Sequence, residues 1–336
     1  MHTPPTRWLA GLDDLAVIIV AYNSALYIAA CLASVLSHMG SLRADVVVVD
    51  AESTDGTADI VGATPGVRLL RCPNRGFAYA NNRGLMTCDA RYVLFINPDT
   101  EILRGSLSDL VARMDERPEV GLTGVRQVDA DGRLDPTIRR FPNALRALGD
   151  ALSAERLPGR PGWLGEREVQ LRAYDREADC DWTSGSFMLT RREAIESAGF
   201  MDERFFMYSE ETDFCRRIKS AGWETRYLPW MTILHYGAKV GVDPRIESLS
   251  AHSRMLYARK HFSRMHRALY FGAVVLRHSL RYLFARGGEL GTCRRIAHGA
   301  ALRTLLRRTP PPHSPWGRFA VYPRELSTSA TPLHTP

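Results

Sequence analysis

Five residues, Tyr92-Val-Leu-Phe-Ile96, run without a polar break and are halted by Asn97-Pro98-Asp99-Thr100-Glu101. A run this short and this apolar predicts a strand buried on both faces, as in the middle of a parallel sheet. Proline has no N–H with which to continue a ladder, so the chain turns at Pro98. Asp99 is thereby delivered to the carboxyl end of a buried strand, the edge of an open α/β sheet at which ligands sit. Two readings of that carboxylate stay open: a ligand for a hard divalent cation bridging phosphate oxygens, or a turn aspartate that caps the next segment.

The flanking sequence repeats one pattern. Leu15–Val20 is a short apolar run and 25–36 has helical spacing. Asp45–Val49 is a β-branched strand followed by a polar turn and a short helix near 57–61. Val67–Leu70 predicts a third strand, Gly76–Leu85 a helix, and Arg91–Ile96 the strand above. Strands alternating with helices imply right-handed crossovers and a parallel sheet covered on both faces, a nucleotide-binding type of architecture. No G-x-G-x-x-G follows the first strand, which ends Val20-Ala-Tyr-Asn-Ser24, and no G-x-x-x-x-G-K-[ST] occurs. Dinucleotide and P-loop readings lose their main support, so a bound diphosphate would need Asp99 and a metal.

Six cysteines scattered singly along 336 residues, with no C-x-x-C pair, argue against a zinc site or disulfide framework and suit a reducing compartment. The start shows no leader-like apolar region, and the longest apolar run near the other end, Ala268–Leu276, is too short to span a bilayer. Net charge is +7, unevenly placed: residues 252–308 hold 13 Lys and Arg against one acid, Glu289, which leaves 1–251 acidic.

Residues 126–180 are rich in Arg, Pro and Gly with little periodicity, a stretch that is either functional or mobile. The pattern resumes as a strand over Trp182–Thr190, whose Ser184-Gly185 entrance lets a ligand approach the backbone. Next comes a very aromatic approach, Phe205-Phe-Met-Tyr208, and then Ser209-Glu210-Glu211-Thr-Asp213. Ser209 reads as an N-cap, Phe214, Ile218 and Ala221 as the apolar stripe, and Gly222 as the stop. The acids either complement the helix dipole, or crowd together against apolar surface, gain raised pKa values and act as a general base. His235, closing the run Ile233-Leu-His-Tyr-Gly237, is a core or turn histidine or a metal ligand.

Taken in order, these pieces resemble the inverting glycosyltransferases of family 2, with the GT-A fold, and within them the bacterial rhamnosyltransferase-like subgroup. The resemblance covers about Leu15 to His261 and rests on five motifs. They are Val17–Asn23, Val47-Val-Val-Asp50 with Ser53-Thr-Asp55-Gly, Asn74-Arg-Gly76 through Asn81-Asn82-Arg-Gly84, Asn97-Pro-Asp99, and Phe206-Met-Tyr-Ser-Glu210-Glu211. It implies that Ala21, Tyr22 and Asp50 hold base and ribose of a UDP- or dTDP-linked sugar, with Asn23, Asp55, Gly76, Asn82 and Asn97 in the same binding surface. Asp99 and His235 would hold Mn²⁺ or Mg²⁺ on the diphosphate. Glu211 would take the proton of the acceptor hydroxyl, with Glu210 and Asp213 as alternatives, and Trp182, Ser184 and Gly185 would line the acceptor or sugar pocket. Two positions depart from the family pattern: Asn97 replaces the first Asp of D-x-D, and Glu211 replaces the usual Asp.

The implied reaction is an inverting transfer of a hexose such as L-rhamnose to a lipid-linked or polysaccharide acceptor in cell-wall and polysaccharide synthesis. A sugar-phosphate nucleotidyltransferase and a non-catalytic sugar-nucleotide binder are the rivals. The expected divisions are an extension at 1–14, a catalytic domain at 15–250 whose halves meet at 125/126, a basic helical tail at 251–308 and a disordered end at 309–336. In the tail, Phe262, Met265, Leu269, Ala273, Leu276, Leu280 and Leu283 recur at helical steps, interleaved with Arg264, Arg267, Arg277, Arg281 and Arg286. Such a helix either lies on an anionic membrane surface or packs on the catalytic body with solvated arginines. Nucleic acid is disfavoured, because no recognition motif accompanies the charge. The expected place is cytoplasmic, peripheral on the inner face of the plasma membrane.

Overall fold

The structure is a computed structural model that describes residues 13–154, 162–237 and 243–307. Its first half follows the expected alternation: β1 (Asp13–Ala21), α1 (Ile28–Ser37), β2 (Ala44–Asp50), α2 (Thr57–Gly62), β3 (Val67–Arg71), α3 (Phe77–Leu85) and β4 (Ala90–Ile96). The order β3-β2-β1-β4 is parallel throughout, and β1 and β4 sit in the interior of the sheet. Side chains alternate across β1. Leu15, Val17 and Ile19 join a core beneath α1, while Ala16 and Ile18 join a second core beneath α3. Burial on both faces is why these strands read as unbroken apolar runs.

Beyond β4 the sheet becomes mixed, through elements the sequence did not announce. β5 (Thr100–Arg104), α4 (Leu107–Asp115) and β6 (Val120–Val128) follow the Asn97-Pro98 turn. Then come α5 (Ala144–Ala151), β7 (Ala178–Asp179), β8 (Phe187–Arg191), α6 (Arg192–Ala198), α7 (Glu210–Ser220) and β9 (Glu224–His235). β8 runs antiparallel between β4 and β6, and β9 lies parallel to β6 and antiparallel to β5. Among the described residues, six of the nine strands point the same way, so the sheet is mostly parallel.

Several expectations are corrected in detail. The strand expected over 182–190 begins only at Phe187, because Ser184–Ser186 form a turn. β9 runs on through Pro229, where the register with β6 slips between Val125 and Arg126 and so accommodates a residue that cannot donate. Residues 126–180 contain helix α5 as well as irregular chain; the run expected from Leu157 lies partly outside the described residues, as do 1–12 and the end from 308. The five described buried cysteines and the exposed Cys293 are all free thiols.

Three further helices, α8 (Pro244–His261), α9 (Arg264–Leu283) and α10 (Gly288–Arg307), complete the described chain. α8 passes straight through the boundary expected at 250, so no linker separates tail from body there. With α5 the three helices share a core of Ala147, Phe205, Tyr257, Phe262, Tyr270 and Leu305. The buried face of α9 is Tyr270, Ala273, Val274 and His278; of the stripe expected from its spacing Phe262 and Ala273 are buried, whereas Met265, Leu269, Leu276 and Leu283 are exposed. Arg277 and Arg281, expected to face solvent or membrane, both pair with Asp150 of α5. No described helix is long and apolar enough to cross a membrane.

Gly76 joins the two halves. Its φ is +104°, Phe77 N–H donates to the carbonyl of Phe206 at 2.7 Å, and a Cβ at Gly76 would lie 2.2 Å from that oxygen. Gly76→Ala therefore adds a left-handed penalty of about 1–2 kcal/mol to a backbone clash. Chemical denaturation is expected to show a loss of at least about 2 kcal/mol; unchanged stability would contradict this packing.

Candidate active site

The Asn97–Asp99 turn is followed at once by β5, whose first residue, Thr100, pairs with His235 at the end of β9. That pairing sets Asp99 Oδ1 3.4 Å from His235 Nε2, and Asn97 Nδ2 lies 3.4 Å from the same nitrogen. Asn97 Oδ1 is buried without a partner, and turning the amide would present this oxygen to His235. One carboxylate, one imidazole nitrogen and one orphaned amide oxygen thus converge, a donor set that suits Mn²⁺ or Mg²⁺. His235 Nδ1 is fixed behind by the Gln127 amide at 3.2 Å, and Gln127 in turn is held by Asp135 and by the Ser186 hydroxyl. Among the described residues, the one group of three His, Cys, Asp or Glu side chains close enough to share an ion lies elsewhere. It is Glu247, His278 and His298, between α8, α9 and α10.

The parallel strands end level with one another. Ala21 pairs with Asp50, and Ile19 with Ile96, so the Ala21–Tyr22, Asp50 and Asn97–Asp99 segments share one edge. Asp50 is 3% exposed; its Oδ2 meets Ser53 N–H at 3.4 Å, while Oδ1 is buried with no partner. It lines a cavity of about 560 Å³ with Glu52, Ser53, Thr54 and Gly56. Tyr22 has its phenol pKa raised, by burial first and the charge of Glu52 second.

Other expected binding residues are spent inside the protein. Asp55 accepts from Thr57 and from Ala25 N–H, pinning the polar turn to the start of α1. Asn23 likewise accepts from Thr54 N–H at 2.8 Å. Asn82 is buried, donates to the Met201 carbonyl and Glu203, and accepts from Met201 N–H. Gly76 is the joint described above. These residues hold the frame, while Asp50 keeps an unspent oxygen at this edge.

On the far side stands the start of α7. Glu210 is 5% exposed and Glu211 half-buried, and one carboxylate oxygen of each is buried without a hydrogen bond. Burial pushes Glu210 well above the usual carboxylate range, and the charge of Glu211 pushes it further. Burial also raises Glu211, opposed by backbone N–H groups at the helix start and by Arg139 and Arg254. Ser209 occupies the N-cap position, but its φ is +67° and its side chain makes no capping bond. Tyr208 before it is also left-handed, φ +70°. Two consecutive non-glycine residues in this region cost roughly 1–3 kcal/mol each, strain of a kind found where side chains are aimed; sequence reading gave no signal of it.

Asp213 stands apart. It is fully buried, ion-paired with Lys260 and Arg217 and hydrogen-bonded to His261; burial raises its pKa, but these three partners bring it below the usual range. It ties α7 to α8 and has no free lone pair for a substrate proton.

The two sides meet at the Ser184–Ser186 turn. Ser186 accepts from Asn97 N–H at 3.1 Å, and its hydroxyl joins the Gln127–His235 network. One residue earlier, a Cβ placed on Gly185 would lie 3.6 Å from Cβ of Glu211. Asp99 and Glu211 therefore flank one three-residue turn. Trp182 is buried, donates to the Arg140 carbonyl and carries the Arg139 guanidinium 4.8 Å over its ring, so it is a platform for Arg139.

A buried carboxyl with a raised pKa binds its proton more tightly when folded. Its stabilising contribution is whole below the unfolded pKa, near 4.3, and is lost as pH rises. Glu210→Gln should therefore raise the melting temperature, with a gain that grows between pH 5 and 8, by up to about 1.4 kcal/mol per pH unit. A pH-independent difference would contradict the environment described.

Comparison with known proteins identifies the family. The model of glycosyl transferase family 2 matches residues 16–198. N-acetylglucosaminyl-diphospho-decaprenol L-rhamnosyltransferase of Mycobacterium tuberculosis is 34% identical over 259 residues, 73% of this chain and 83% of that protein. Rhamnosyltransferase WbbL of Escherichia coli is 25% identical over 169 residues, 48% of this chain and 61% of its own. Among solved structures, a mannosyltransferase from Pyrobaculum calidifontis in complex with GDP-Man and Mn²⁺ superimposes with TM-score 0.51 at 19% identity, covering 88% of this chain and 81% of that one. The fold is that of the GT-A enzymes, the nucleotidyltransferase alternative is not favoured, and the chain belongs to glycosyltransferase family 2.

Proposed function

We propose that this glycosyltransferase moves a hexose, L-rhamnose by analogy with its relatives, from a dTDP- or UDP-linked donor to a lipid-diphosphate-linked saccharide, with inversion, in cell-envelope glycan synthesis. The observation that supports the reading is that the Ser184–Ser186 turn is held on one side by Asn97, two residues before Asp99, and lies against Glu211 on the other. The unpartnered Asp50 oxygen, with Tyr22 near it, would receive the base and ribose. Asp99, His235 and Asn97 would hold a divalent cation, which when bound offsets the charge on the departing diphosphate. Glu211 would accept the proton as the acceptor oxygen bonds to the anomeric carbon, while the bond to the diphosphate breaks and its electron pair leaves with the phosphate oxygen. Its raised pKa suits that task, and Arg139 and Arg254 keep it ionisable. Asp213, saturated by Lys260, Arg217 and His261, is set aside as the base, and Glu210 serves by burial to set the position of Glu211.

Asp99→Ala and Glu211→Gln should each lower turnover by about 10²–10⁴-fold while the protein stays folded, and the product should be a nucleoside diphosphate, not pyrophosphate. Normal turnover by either variant removes that residue from its role, and release of pyrophosphate favours the nucleotidyltransferase.

We further propose that the helical tail rests on the cytoplasmic face of the plasma membrane. Support comes from the exposed Met265, Leu269, Leu283 and Phe284 of α9 and its end, beside exposed Arg264 and Arg286. Each basic residue near an anionic surface contributes on the order of 1 kcal/mol. Flotation with phosphatidylglycerol vesicles should carry the protein at low salt and release it at high salt; equal flotation with neutral vesicles, or none, contradicts the contact.

A further inference from the structure

Between α5, α8 and α9 lies a cavity of about 230 Å³ that the family motifs do not touch. Six arginines line it: Arg139, Arg146, Arg167, Arg254, Arg277 and Arg281. Two carboxylates accompany them. Asp150 is taken by Arg277 at 2.7 Å and Arg281 at 2.9 Å, and Glu166 faces Arg254 at 3.7 Å. Arg146 spends N–H groups on the carbonyls of Phe141 and Trp163. Among the described residues no carboxylate lies within ion-pair distance of Arg139, Arg146 or Arg167, and Arg139 Nε is buried with no partner. The cavity thus holds more positive charge than the protein neutralises. Crowding shows in the guanidinium groups themselves: burial and the charge of Arg167 push Arg139 down to about 10, and burial with Arg254 and Arg281 does the same to Arg277.

Like charges gathered in a partly desolvated space are costly unless an anion joins them. Guanidinium groups bind phosphate oxygens through paired, charge-assisted hydrogen bonds. The volume is below the roughly 300–1,000 Å³ typical of sites for whole small molecules, and so suits a group instead of an entire nucleotide sugar. Its position is informative. Arg139 lies on Trp182, three residues before the Gly185 that packs against Glu211, and the charges of Arg139 and Arg254 both act on Glu211. The cavity therefore adjoins the base from the side of the tail helices, whereas the Asp50–Asp99 edge reaches Glu211's turn from the sheet.

We propose that this arginine cavity binds the diphosphate of a prenyl-diphosphate-linked acceptor, holding the acceptor's sugar hydroxyl within reach of Glu211. The assignment rests on the transferase reading above and gives it a second anion site, separate from that of the donor. It also gives the tail a chemical role: α8 and α9 supply Arg254, Arg277 and Arg281, so the acceptor site is built only when the helices are docked.

Calorimetry of the full chain with geranyl diphosphate, geranyl monophosphate and UDP, without turnover, tests it. Geranyl diphosphate should bind, the monophosphate about tenfold more weakly, and Arg139→Gln and Arg254→Gln should each lose about tenfold or more for the diphosphate while UDP affinity stays unchanged. Melting temperatures check that both variants fold, and Arg254→Lys should recover part of the binding. In kinetics, both glutamine variants should raise the KM for a diphosphate-linked acceptor and leave the KM for the donor alone. Geranyl diphosphate binding that is indifferent to both variants, or a loss of UDP affinity in parallel, overturns the proposal. If the diphosphate binds as stated but no donor is ever turned over, the transferase reading fails and the anion site remains.

Discussion

The pairing of Thr100 with His235 is the contact on which the site depends. Pro98 forces the chain out of β4, and β5 returns it antiparallel to β9, so a residue of the turn after β4 and one 136 positions later face each other across 3.4 Å. His235 is carried by the ladder itself, and Asp99, in the turn just before β5, is tied to it by the Tyr236 N–H that donates to its carbonyl at 3.0 Å. Behind it, Asp135, Gln127 and Ser186 hold the imidazole in a fixed orientation, with the Gln127 amide N–H donating to Nδ1.

Across the turn, rigidity is obtained by a costlier route. The left-handed Tyr208 and Ser209 and the buried, unpaired Glu210 are each unfavourable alone. They persist because the aromatic approach is clamped: Phe206 against Gly76, Asn82 against Met201, and Asp213 among Arg217, Lys260 and His261. The conserving logic is physical. Residues whose polarity suggested ligand binding are consumed in the clamps, and the carboxylates left without partners are the ones free to do chemistry.

Much of this was legible in the chain. The double burial of β1 and β4 follows from Leu15–Val20 and Tyr92–Ile96, and the end of β4 from Pro98. The acid-rich helix start was visible at Glu210 and Glu211. What stayed hidden are matters of long-range pairing. β5 and β6 are short, β9 contains a proline, and their partners lie up to 135 residues away, so no local pattern marks them. Asp55, Asn82 and Asp213 look in sequence like Asp50 and Glu211; only their hydrogen-bond partners distinguish them. The tail's spacing identified a helix at α9 but not its face, because His278 and Tyr270 are buried there while Leu269 is exposed. Arg139 and Arg277, far apart in the chain, line one cavity only in the folded protein.

Anomalous diffraction from crystals grown with Mn²⁺ and a nucleoside diphosphate tests the central claim most directly. A manganese peak is expected about 2.0–2.6 Å from donor atoms of Asp99 and His235, with the Glu211 carboxylate facing the same hollow across Ser184–Ser186. A peak at Glu247, His278 and His298 with none at Asp99, or a Glu211 carboxylate turned away from the bound diphosphate, would contradict it.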